Sequence, residues 1–331
     1  MSEFALASEA GNGTLPALIG PSSAAPSLGA FWAGNRDRVE AMLLKAGGVL
    51  LRGFDVPAVE AFQSFAGDYG YPLLRYEFAS TPRTAVSSGI YTSTEYPAHQ
   101  HIPLHNEQSY TREWPMKIWF HCVTPAASGG ETPIADSRAI YCDMPSALRQ
   151  RFSEGLCYVR NYSSDFDLSW QEVFQTESRS EVEAYCRRVG IVCEWKDDAE
   201  LRTLQRCQGV ERHPVTGEHV WFNQAHLFHA SNLQPEVRES LEDMLGVDNL
   251  PRNVCFADGT PIADSMLDEV REVLARHTVI FPWEAGDILM LDNMLTAHAR
   301  TPFSGARKVV VAMAQPHGNL LSNSEARSAF S

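Results

Sequence analysis

The segment PLHNEQSYTREWP, residues 103–115, places a histidine and an acid two positions apart, His105 and Glu107, among aromatic side chains. An imidazole and a carboxylate at this spacing are candidate ligands of a catalytic metal ion. The pair alone carries little weight, because 11 His and 41 acidic residues in a chain of 331 give roughly 1.4 such pairs by chance. A metal site therefore requires further ligands elsewhere in the chain.

The spacing of this pair is compatible with a strand and incompatible with a helix. Side chains two positions apart point to the same face of a strand, whereas on a helix they diverge by about 200°. Pro103 precedes the pair and Pro115 follows it, which disfavours a helix here. The sequence therefore predicts a strand on which His105 and Glu107 share one ion, with Asn106 directed to the opposite face.

The best candidate for the third ligand is His298. It follows the apolar segment GDILMLDN, and we expect it in a polar loop before the final strand. Two imidazoles and one carboxylate leave half of an octahedron open, which suits a non-haem Fe(II) that must also bind a co-substrate and dioxygen. Zinc is the chemical alternative, although the sequence lacks the H-E-x-x-H motif of many zinc hydrolases and places no obvious general base.

Such an iron site also needs groups that bind a dianionic co-substrate. Arg307 stands nine residues after His298 at the start of RKVVVAM, and its guanidinium suits a bidentate pair with a carboxylate. Thr132, in GGETP, offers a hydroxyl donor for the same group. Lys308 is the alternative to Arg307, because alternation along a strand lets only one of the two face inward.

Four further residues are candidate contacts of a substrate. Asn223 and Gln224, in WFNQAH, carry amides that suit an amino-acid substrate, although capping of a turn is an alternative role for them. Arg300 suits either a substrate carboxylate or a bond within the ligand-bearing loop. Tyr91 lies on the approach to the His-x-Glu pair and is a candidate for the pocket wall.

Composition limits the partners and the compartment. A net charge of −14 disfavours binding to nucleic acid or to an anionic membrane surface. The seven cysteines are odd in number and include no C-x-x-C, so neither a disulfide framework nor a zinc ribbon is indicated. No signal-peptide pattern opens the sequence and no apolar run approaches transmembrane length. We therefore expect a cytoplasmic protein.

The predicted elements place the candidate ligands in one domain. Residues 1–28, rich in Ala, Gly, Ser and Pro, predict a loosely held arm, and residues 29–331 predict a single domain. Amphipathic segments such as NRDRVEAMLLKAG and SMLDEVREVLARH predict helices. Strands are predicted at GGVLLRGF and at 308–313. Strands near both ends, with helices between them, predict a β-rich α+β domain whose sheets close through distant pairing.

The ordered set of motifs resembles the taurine dioxygenase/clavaminate synthase-like superfamily of Fe(II)- and 2-oxoglutarate-dependent oxygenases. The resemblance extends over roughly residues 45–315 and is carried by PLHNEQSYTREWPMKIWFHC, SGGETPIADSR, HPVTGEHVWFNQAHLFH and WEAGDILMLDNMLTAHARTPFSGARKVVVAM. The sequences of these motifs are most similar to the branch typified by the syringomycin-cluster hydroxylase, which belongs to peptide natural-product pathways. This resemblance implies a distorted double-stranded β-helix, or jelly-roll, with helices packed around it.

In this resemblance His105, Glu107 and His298 match the metal ligands, and Thr132 and Arg307 match the residues that bind the C5 carboxylate of 2-oxoglutarate. The implied cofactors are Fe(II), 2-oxoglutarate and O2. Glu replaces the commoner Asp at the acid position, as it also does in the clavaminate synthase branch. A retained carboxylate argues against a radical halogenase, in which the acid position is typically small.

The implied reaction is hydroxylation of an unactivated C–H bond in an amino acid or an amino-acid-derived substrate, free or tethered to a carrier protein. Desaturation, cyclisation or epoxidation at the same iron is the alternative outcome. A non-catalytic binding module on the same fold is the alternative from a different class, and the presence of a complete ligand set disfavours it.

Overall fold

The computed structural model describes residues 15–21, 28–56, 58–74, 85–93, 96–163, 166–196 and 200–318. The strands are β1 (Ala17–Ile19), β2 (Gly48–Leu51), β3 (Ala85–Ser87), β4 (Ile90–Thr92), β5 (Ile102–His105), β6 (Glu113–Thr124), β7 (Ser128–Gly129), β8 (Ile134–Asp136), β9 (Leu156–Tyr162), β10 (Ile191–Trp195), β11 (Leu201–Cys207), β12 (Val210–Arg212), β13 (His219–Trp221), β14 (Arg252–Phe256), β15 (Ile288–Asp292), β16 (Thr296–Arg300), β17 (Phe303–Ser304) and β18 (Lys308–Gly318). The helices are α1 (Leu28–Ala46), α2 (Val59–Gly67), α3 (Ser137–Asp143), α4 (Ser146–Ser153), α5 (Trp170–Phe174), α6 (Arg179–Val189), α7 (Ala225–Phe228), α8 (Pro235–Leu245) and α9 (Asp264–Arg276).

Two sheets enclose the interior that contains the candidate ligands. The larger sheet has the order β1-β2-β15-β6-β18-β4-β3, and the smaller has the order β5-β16-β8. The sheets meet where the ring of Phe120 on β6 lies 5.0 Å from the ring of His298 on β16. A separate four-stranded sheet has the order β10-β11-β9-β14. The structure is thus a mixture of helix and sheet, in agreement with the predicted α+β class.

Strand β6 forms part of two cores because its successive side chains alternate between the faces of the larger sheet. Ile118 and Phe120 belong to the cluster between the sheets, together with alternate residues of β15 and β18. Trp119 belongs to the cluster on the opposite face, where α1 and α2 cover the sheet. A central strand buried on both faces reads as a continuous apolar run rather than an alternating one.

The smaller sheet has one face in a hydrophobic core and the other toward the candidate ligands. Leu104, Ala135, Ala297 and Ala299 belong to the largest apolar cluster, together with residues of α3, α4, α6 and α9. Because Ala297 and Ala299 flank His298 on β16, their burial in this cluster directs the imidazole to the opposite face. Packing behind the sheet therefore fixes where the histidine points.

The predicted helices are present, and Gly47 shows how the first of them ends. NRDRVEAMLLKAG lies in α1, and SMLDEVREVLARH lies mostly in α9. Gly47 follows α1 with φ of +83°, and a Cβ at this position would collide with the Thr296 side chain. A glycine is therefore required both by the backbone angle and by the close approach of β16. No helix in the described part of the chain has the length and apolar character needed to cross a membrane.

The N-terminal segment differs from the loose arm predicted for residues 1–28. Ala17–Ile19 forms β1 and pairs in parallel with β2, and Ile19 is buried in the core. Three apolar residues are enough to extend an existing sheet, even between stretches rich in proline and glycine. Residues 1–14 and 22–27 of the predicted arm lie outside the described residues.

Candidate metal centre

The three candidate ligands converge where β5 and β16 pair. His105, the last residue of β5, is the direct antiparallel partner of His298. Their ring centroids are 4.3 Å apart, and Glu107 Oε2 lies 3.9 Å from His298 Nε2. One possible donor atom from each residue lies within 4.8 Å of the others. The fold thus brings together two segments that are far apart in the sequence.

Two details of this geometry differ from the sequence prediction. β5 ends at His105, so that Glu107 lies in the turn that follows and not on the strand, whereas His298 lies in β16 and not in a loop. The chain leaves the ladder at Glu107 because the Asn293 side chain takes the hydrogen bonds of the Glu107 backbone. β16 resembled a loop because its segment, TAHAR, has few large apolar residues, yet its alanines are small enough to pack in the core.

The hydrogen bond of His105 leaves one ring nitrogen available for a metal. His105 Nδ1 lies 2.9 Å from the Pro103 carbonyl oxygen. A carbonyl can only accept, so Nδ1 carries the proton and Nε2 carries the lone pair. Metal-bound histidines usually donate their second ring nitrogen to a carbonyl or carboxylate in this way. The contact therefore prepares His105 as a ligand through Nε2.

The donor set fits a divalent ion of the iron type. Two imidazoles and one carboxylate form a facial triad with open positions. Metal–ligand bonds of about 2.1 Å place neighbouring donors about 3 Å apart, so that the 3.9 Å between His298 Nε2 and Glu107 Oε2 requires only a small closure. Glu107 is 4% exposed, and a buried carboxylate is unfavourable unless a cation offsets its charge.

Arg307 faces inward, while its neighbour Lys308 is exposed. Arg307 Nε donates to the Gly130 carbonyl at 2.9 Å, and Nη1 donates to Ser93 Oγ at 3.2 Å. Burial lowers the pKa of Arg307 to about 10, so the guanidinium remains charged at neutral pH. A Cβ on Gly130 would lie 2.9 Å from Arg307 Cδ, which explains the glycine in the Gly-Gly turn.

Thr132 lies two residues beyond the carbonyl that Arg307 binds. It is 2% exposed, and its Oγ1 accepts from Trp283 Nε1 at 3.1 Å. An oxygen that accepts this hydrogen bond still carries its own proton, so the Thr132 hydroxyl can donate to a further acceptor. The Ala299 N–H donates to the Pro133 carbonyl at 2.8 Å, which holds this segment beside β16 and hence beside the strand of His298.

A cleft of about 640 Å³ opens beside the candidate ligands. His105 and Glu107 form part of its wall. The rest is lined by apolar and aromatic side chains, by four amides and by one arginine, including Tyr96, Gln100, Gln224, Phe228, Val237 and Arg252. A mainly apolar cleft with a few polar groups next to a metal site is the usual form of a small-molecule site.

The structure separates the two amides of WFNQAH. Gln224 lines the cleft, and its Nε2 donates to the Asn106 carbonyl at 2.8 Å. Asn223 is used within its own turn: Nδ2 donates to the Gly209 carbonyl at 2.7 Å, and Oδ1 accepts from the Ala225 N–H at 3.0 Å. Gln224 therefore remains a candidate substrate contact, while Asn223 has the alternative, structural role.

Arg300 holds a loop at the edge of the cleft. Its guanidinium donates to the carbonyls of Tyr96, Pro97 and Gln100, at 3.0, 2.8 and 3.0 Å. Burial lowers the pKa of Arg300. Tyr91, on β4, packs against the apolar cluster that contains Phe120 and does not belong to the described lining of the cleft. The geometry favours the loop-holding role for Arg300 and a packing role for Tyr91.

Sequence reasoning missed the place of Arg252 in the cleft and the contact of Asn293 with the Glu107 backbone. Arg252 lines the cleft and forms a bidentate pair with Asp167, with Nε–Oδ2 and Nη2–Oδ1 distances of 2.6 and 2.7 Å. Asn293 is fully buried and contacts the backbone of Glu107. Its signal was present in ILMLDNML, where a polar pair interrupts an apolar run, since buried polar groups are retained when they have partners. Nothing local to Arg252 indicated its position.

Comparison with known proteins gives a consistent set of relatives. The family model described as taurine catabolism dioxygenase TauD, TfdA family matches residues 16–313. The dapdiamide synthesis protein DdaC of Enterobacter agglomerans is 39% identical over 300 residues, covering 90% of this chain and 91% of that protein. A clavaminate synthase-like protein of Arabidopsis thaliana is 30% identical over 318 residues, covering 90% and 93%.

Solved structures share the fold at low sequence identity. AAD-2, in complex with Mn(II) and N-oxalylglycine, superimposes with a TM-score of 0.56 at 15% identity, covering 92% of this chain and 95% of that one. PvcB, described as an Fe, alpha-ketoglutarate dependent oxygenase from an isonitrile synthetic pathway, has a TM-score of 0.52 at 16% identity, covering 90% and 84%. At this level of identity the likeness concerns the fold alone.

Proposed function

Because this chain belongs to the taurine catabolism dioxygenase TauD, TfdA family, we propose that it hydroxylates an unactivated C–H bond of an amino acid or amino-acid-derived substrate in natural-product biosynthesis. It is a non-haem iron dioxygenase, and its cofactors are Fe(II), 2-oxoglutarate and O2. Bound Fe(II), together with 2-oxoglutarate and O2, would supply an oxidant strong enough for such a bond, with succinate and carbon dioxide as co-products. The substrate and the outcome of the reaction are the proposed parts.

The observation that carries the site assignment is the convergence of His105, Glu107 and His298. We propose that these three residues hold the iron through two imidazole nitrogens and one carboxylate. The charge of Glu107 offsets part of the charge of the metal in a buried setting, and the Pro103 carbonyl keeps His105 in the tautomer that binds. Three protein ligands would leave coordination positions free for the co-substrate and dioxygen.

We propose that Arg307 and Thr132 bind the C5 carboxylate of 2-oxoglutarate. Arg307 is partly buried and charged, and Thr132 offers a hydroxyl proton on the adjacent segment. A guanidinium and a hydroxyl make charge-assisted hydrogen bonds to a carboxylate. The apolar side chains between the two sheets, among them Phe120, exclude water from the region where the oxidant forms.

The proposed substrate class rests on the relatives and on the chemistry of the cleft. DdaC, which is 39% identical to this chain, is named for dapdiamide synthesis. The cleft of this chain presents Gln224 and other amides together with Arg252, groups that hydrogen-bond to amide and carboxylate functions. An amino-acid derivative, free or tethered to a carrier protein, satisfies both considerations.

We also infer that the larger sheet and the smaller sheet are the two faces of a distorted double-stranded β-helix. The pairing of β5 with β16, and of β6 with β15 and β18, joins strands that are distant in the sequence. The contact of Phe120 with His298 closes the space between the two faces. A metal site at the mouth of such a barrel is consistent with the cleft that opens beside it.

The metal assignment is tested by anaerobic addition of Fe(II) and 2-oxoglutarate to the purified protein. The wild type is expected to develop the metal-to-ligand charge-transfer absorption of a chelated 2-oxoacid, and His105→Ala is expected to lose it. His219→Ala is the matched control, because His219 is exposed on β13. Absorption that persists in His105→Ala, or is absent from the wild type, would contradict the assignment.

The substrate is sought by measuring succinate release with free and carrier-bound amino acids, followed by mass analysis of the product. A gain of one oxygen is expected. Loss of two hydrogens would replace hydroxylation with desaturation or cyclisation, and a gain of one oxygen on an alkene would indicate epoxidation. Metal binding without turnover on any compound of this class would favour a non-catalytic binding module.

A further inference from the structure

Asn293, which follows β15, holds the backbone on both sides of the turn that contains Glu107. Its Oδ1 accepts from the Glu107 N–H at 2.7 Å, and its Nδ2 donates to the Glu107 carbonyl at 2.9 Å. The same Nδ2 donates to the Pro115 carbonyl, at the other end of the turn, at 2.8 Å. The oxygen and the nitrogen of the Asn293 amide therefore both hydrogen-bond to the backbone around one candidate ligand. Asn293 is 0% exposed.

The backbone of Asn293 is held as firmly as its side chain. The Asn293 N–H donates to the Met116 carbonyl on β6 at 2.9 Å. The Asn293 carbonyl accepts from Asn106 Nδ2 at 2.7 Å. Asn106 Nδ2 also donates to Ser137 Oγ at 3.0 Å, at the start of α3. The residue thus connects β6, the candidate-ligand turn and α3.

Asp292 maintains the chain conformation that allows this arrangement. Its Oδ1 accepts from the N–H groups of Met294 and Leu295, at 3.1 and 3.2 Å. Its Oδ2 binds Lys117 Nζ at 3.0 Å and His213 Nε2 at 3.3 Å. Although burial alone raises the pKa of Asp292, the charge of Lys117 and the hydrogen bond from His213 lower it below its ordinary value. Asp292 therefore stays ionised and holds the turn after β15 in a fixed position.

The turn that carries Glu107 needs such support. Gln108, the next residue, has φ of +55°, a left-handed conformation that residues other than glycine rarely adopt. At Glu107 the backbone has also left the ladder of β5 and β16, since β5 ends at His105. A metal ligand must be placed within a few tenths of an ångström to be effective, and this requires side chains outside the ligand set to hold it.

We infer that Asn293 is a positioning residue that holds Glu107 in line with His105 and His298 before the metal binds. The inference rests on the proposed role of Glu107 as a metal ligand. Outer partners of metal ligands usually contribute about 10- to 100-fold to affinity. The Asn293 side chain makes three hydrogen bonds, two to the Glu107 backbone and one to the Pro115 carbonyl, and we expect its loss to have an effect within that range.

The test measures the affinity of the metal-free protein for Mn(II) alone by calorimetry, without co-substrate or turnover. Asn293→Ala removes all three bonds. Asn293→Asp keeps the acceptor for the Glu107 N–H but places an oxygen opposite the carbonyls of Glu107 and Pro115. Both variants are expected to bind Mn(II) about 10- to 100-fold more weakly than the wild type.

Asn161→Ala is the matched control, because Asn161 on β9 is also a buried amide that donates to a backbone carbonyl, that of Leu250, at 2.8 Å. Its Mn(II) affinity is expected to stay within about twofold of the wild type, even if its stability falls. Equal losses of affinity in Asn161→Ala and Asn293→Ala would assign the effect to general destabilisation and overturn the inference. Wild-type affinity in folded Asn293 variants would also overturn it.

A second variant keeps the inference testable if the Asn293 variants do not fold. Asn106→Ala removes the bond to the Asn293 carbonyl and leaves the Asn293 side chain in place. A smaller loss of Mn(II) affinity, about threefold to tenfold, is expected, and an unchanged affinity would overturn the inference. Failure of the wild type to bind Mn(II) would instead contradict the proposed function, so the two failures are distinguishable.

Discussion

The two walls of the cleft differ in how they are held. In the wall that carries His105 and Glu107, buried side chains bind the backbone: His226 Nε2 donates to the Leu104 carbonyl and Gln224 Nε2 to the Asn106 carbonyl, both at 2.8 Å. A second part of the cleft lining, the α8 wall, comes from α8, which has no buried residue in the described structure. Val237 of α8 lines the cleft and is 48% exposed.

This difference separates the chemistry from the choice of substrate. The metal wall must keep three donors in register, and buried networks allow little change there. A substrate bound in this cleft, as proposed, would meet side chains of the α8 wall that contribute little to the stability of the fold, since exposed positions tolerate substitution. We conclude that the reaction is determined by the first wall and that specificity can change through the second.

The largest expected effect comes from breaking the metal wall at Glu107. Glu107→Ala should reduce substrate-dependent succinate release by at least about a thousandfold, because the metal loses its anionic ligand. The metal-free variant should remain folded, because the role proposed for this carboxylate is to bind the metal. Glu113→Ala, at an exposed position on β6, serves as control and should keep full turnover. A large loss of stability in Glu107→Ala would show that the carboxylate supports the fold and not the metal.

Acid should weaken the metal wall through His226. Burial lowers the pKa of His226 to about 4 from its ordinary value of 6.5. The unfolded chain therefore takes up a proton near pH 6.5 that the folded chain refuses, so stability falls as the pH decreases from 6.5 toward 4. Between pH 6.5 and pH 4 the free energy of unfolding of the wild type should fall by up to about 3 kcal/mol more than that of His226→Gln. Urea unfolding of both proteins measures this difference. Parallel pH curves for the two proteins would contradict this.

Binding of 2-oxoglutarate should depend on Arg307 and not on the neighbouring Lys308. Arg307→Ala should raise the KM for 2-oxoglutarate about 10- to 100-fold, as expected for loss of a charge-assisted hydrogen bond, without changing Mn(II) affinity. Lys308→Ala is the control, because Lys308 is exposed, and its KM should be unchanged. An effect of Lys308→Ala as large as that of Arg307→Ala would contradict the inward placement of Arg307.

The smallest effect on stability is expected in the α8 wall. Val237→Ser and Met244→Ser should each change the free energy of unfolding by no more than about 0.5 kcal/mol. Val237→Ser should raise the KM for the substrate about threefold to tenfold, because an apolar contact in the cleft is lost. Met244, 63% exposed on the same helix, lies outside the cleft lining, and its variant should keep the wild-type KM. Equal KM values for the two variants would show that Val237 of α8 does not contact the substrate.

The sequence predicted the metal wall far better than the rest of the cleft lining. His105, Glu107 and His298 could be chosen because coordination chemistry restricts residue types and spacing, and the structure brings them together. Their secondary structure was partly wrong, since the strand ends before Glu107 and His298 lies within one. Both errors depend on Asn293 and on the packing of small alanines, which are long-range effects that local patterns do not contain.

The rest of the cleft lining could not be predicted from local sequence. Arg252 and Val237 are ordinary residues in their local segments, and only the tertiary arrangement makes them neighbours of His105. The amides of WFNQAH were selected together as substrate candidates, but their different roles follow from which carbonyl each one meets. Residues without a chemical signature are identified by the fold and not by their neighbours in sequence.

The direct pairing of His105 with His298 also has a consequence for the order in which the chain folds. A shift of β16 by one residue would turn Ala297 or Ala299 toward the cleft and bury the histidine among apolar residues. The metal donors are therefore complete only after two strands that are distant in the sequence have joined in the correct register, a slow step in folding. Because a metal binds only this pairing, its presence during refolding should enrich the correct register over its alternatives.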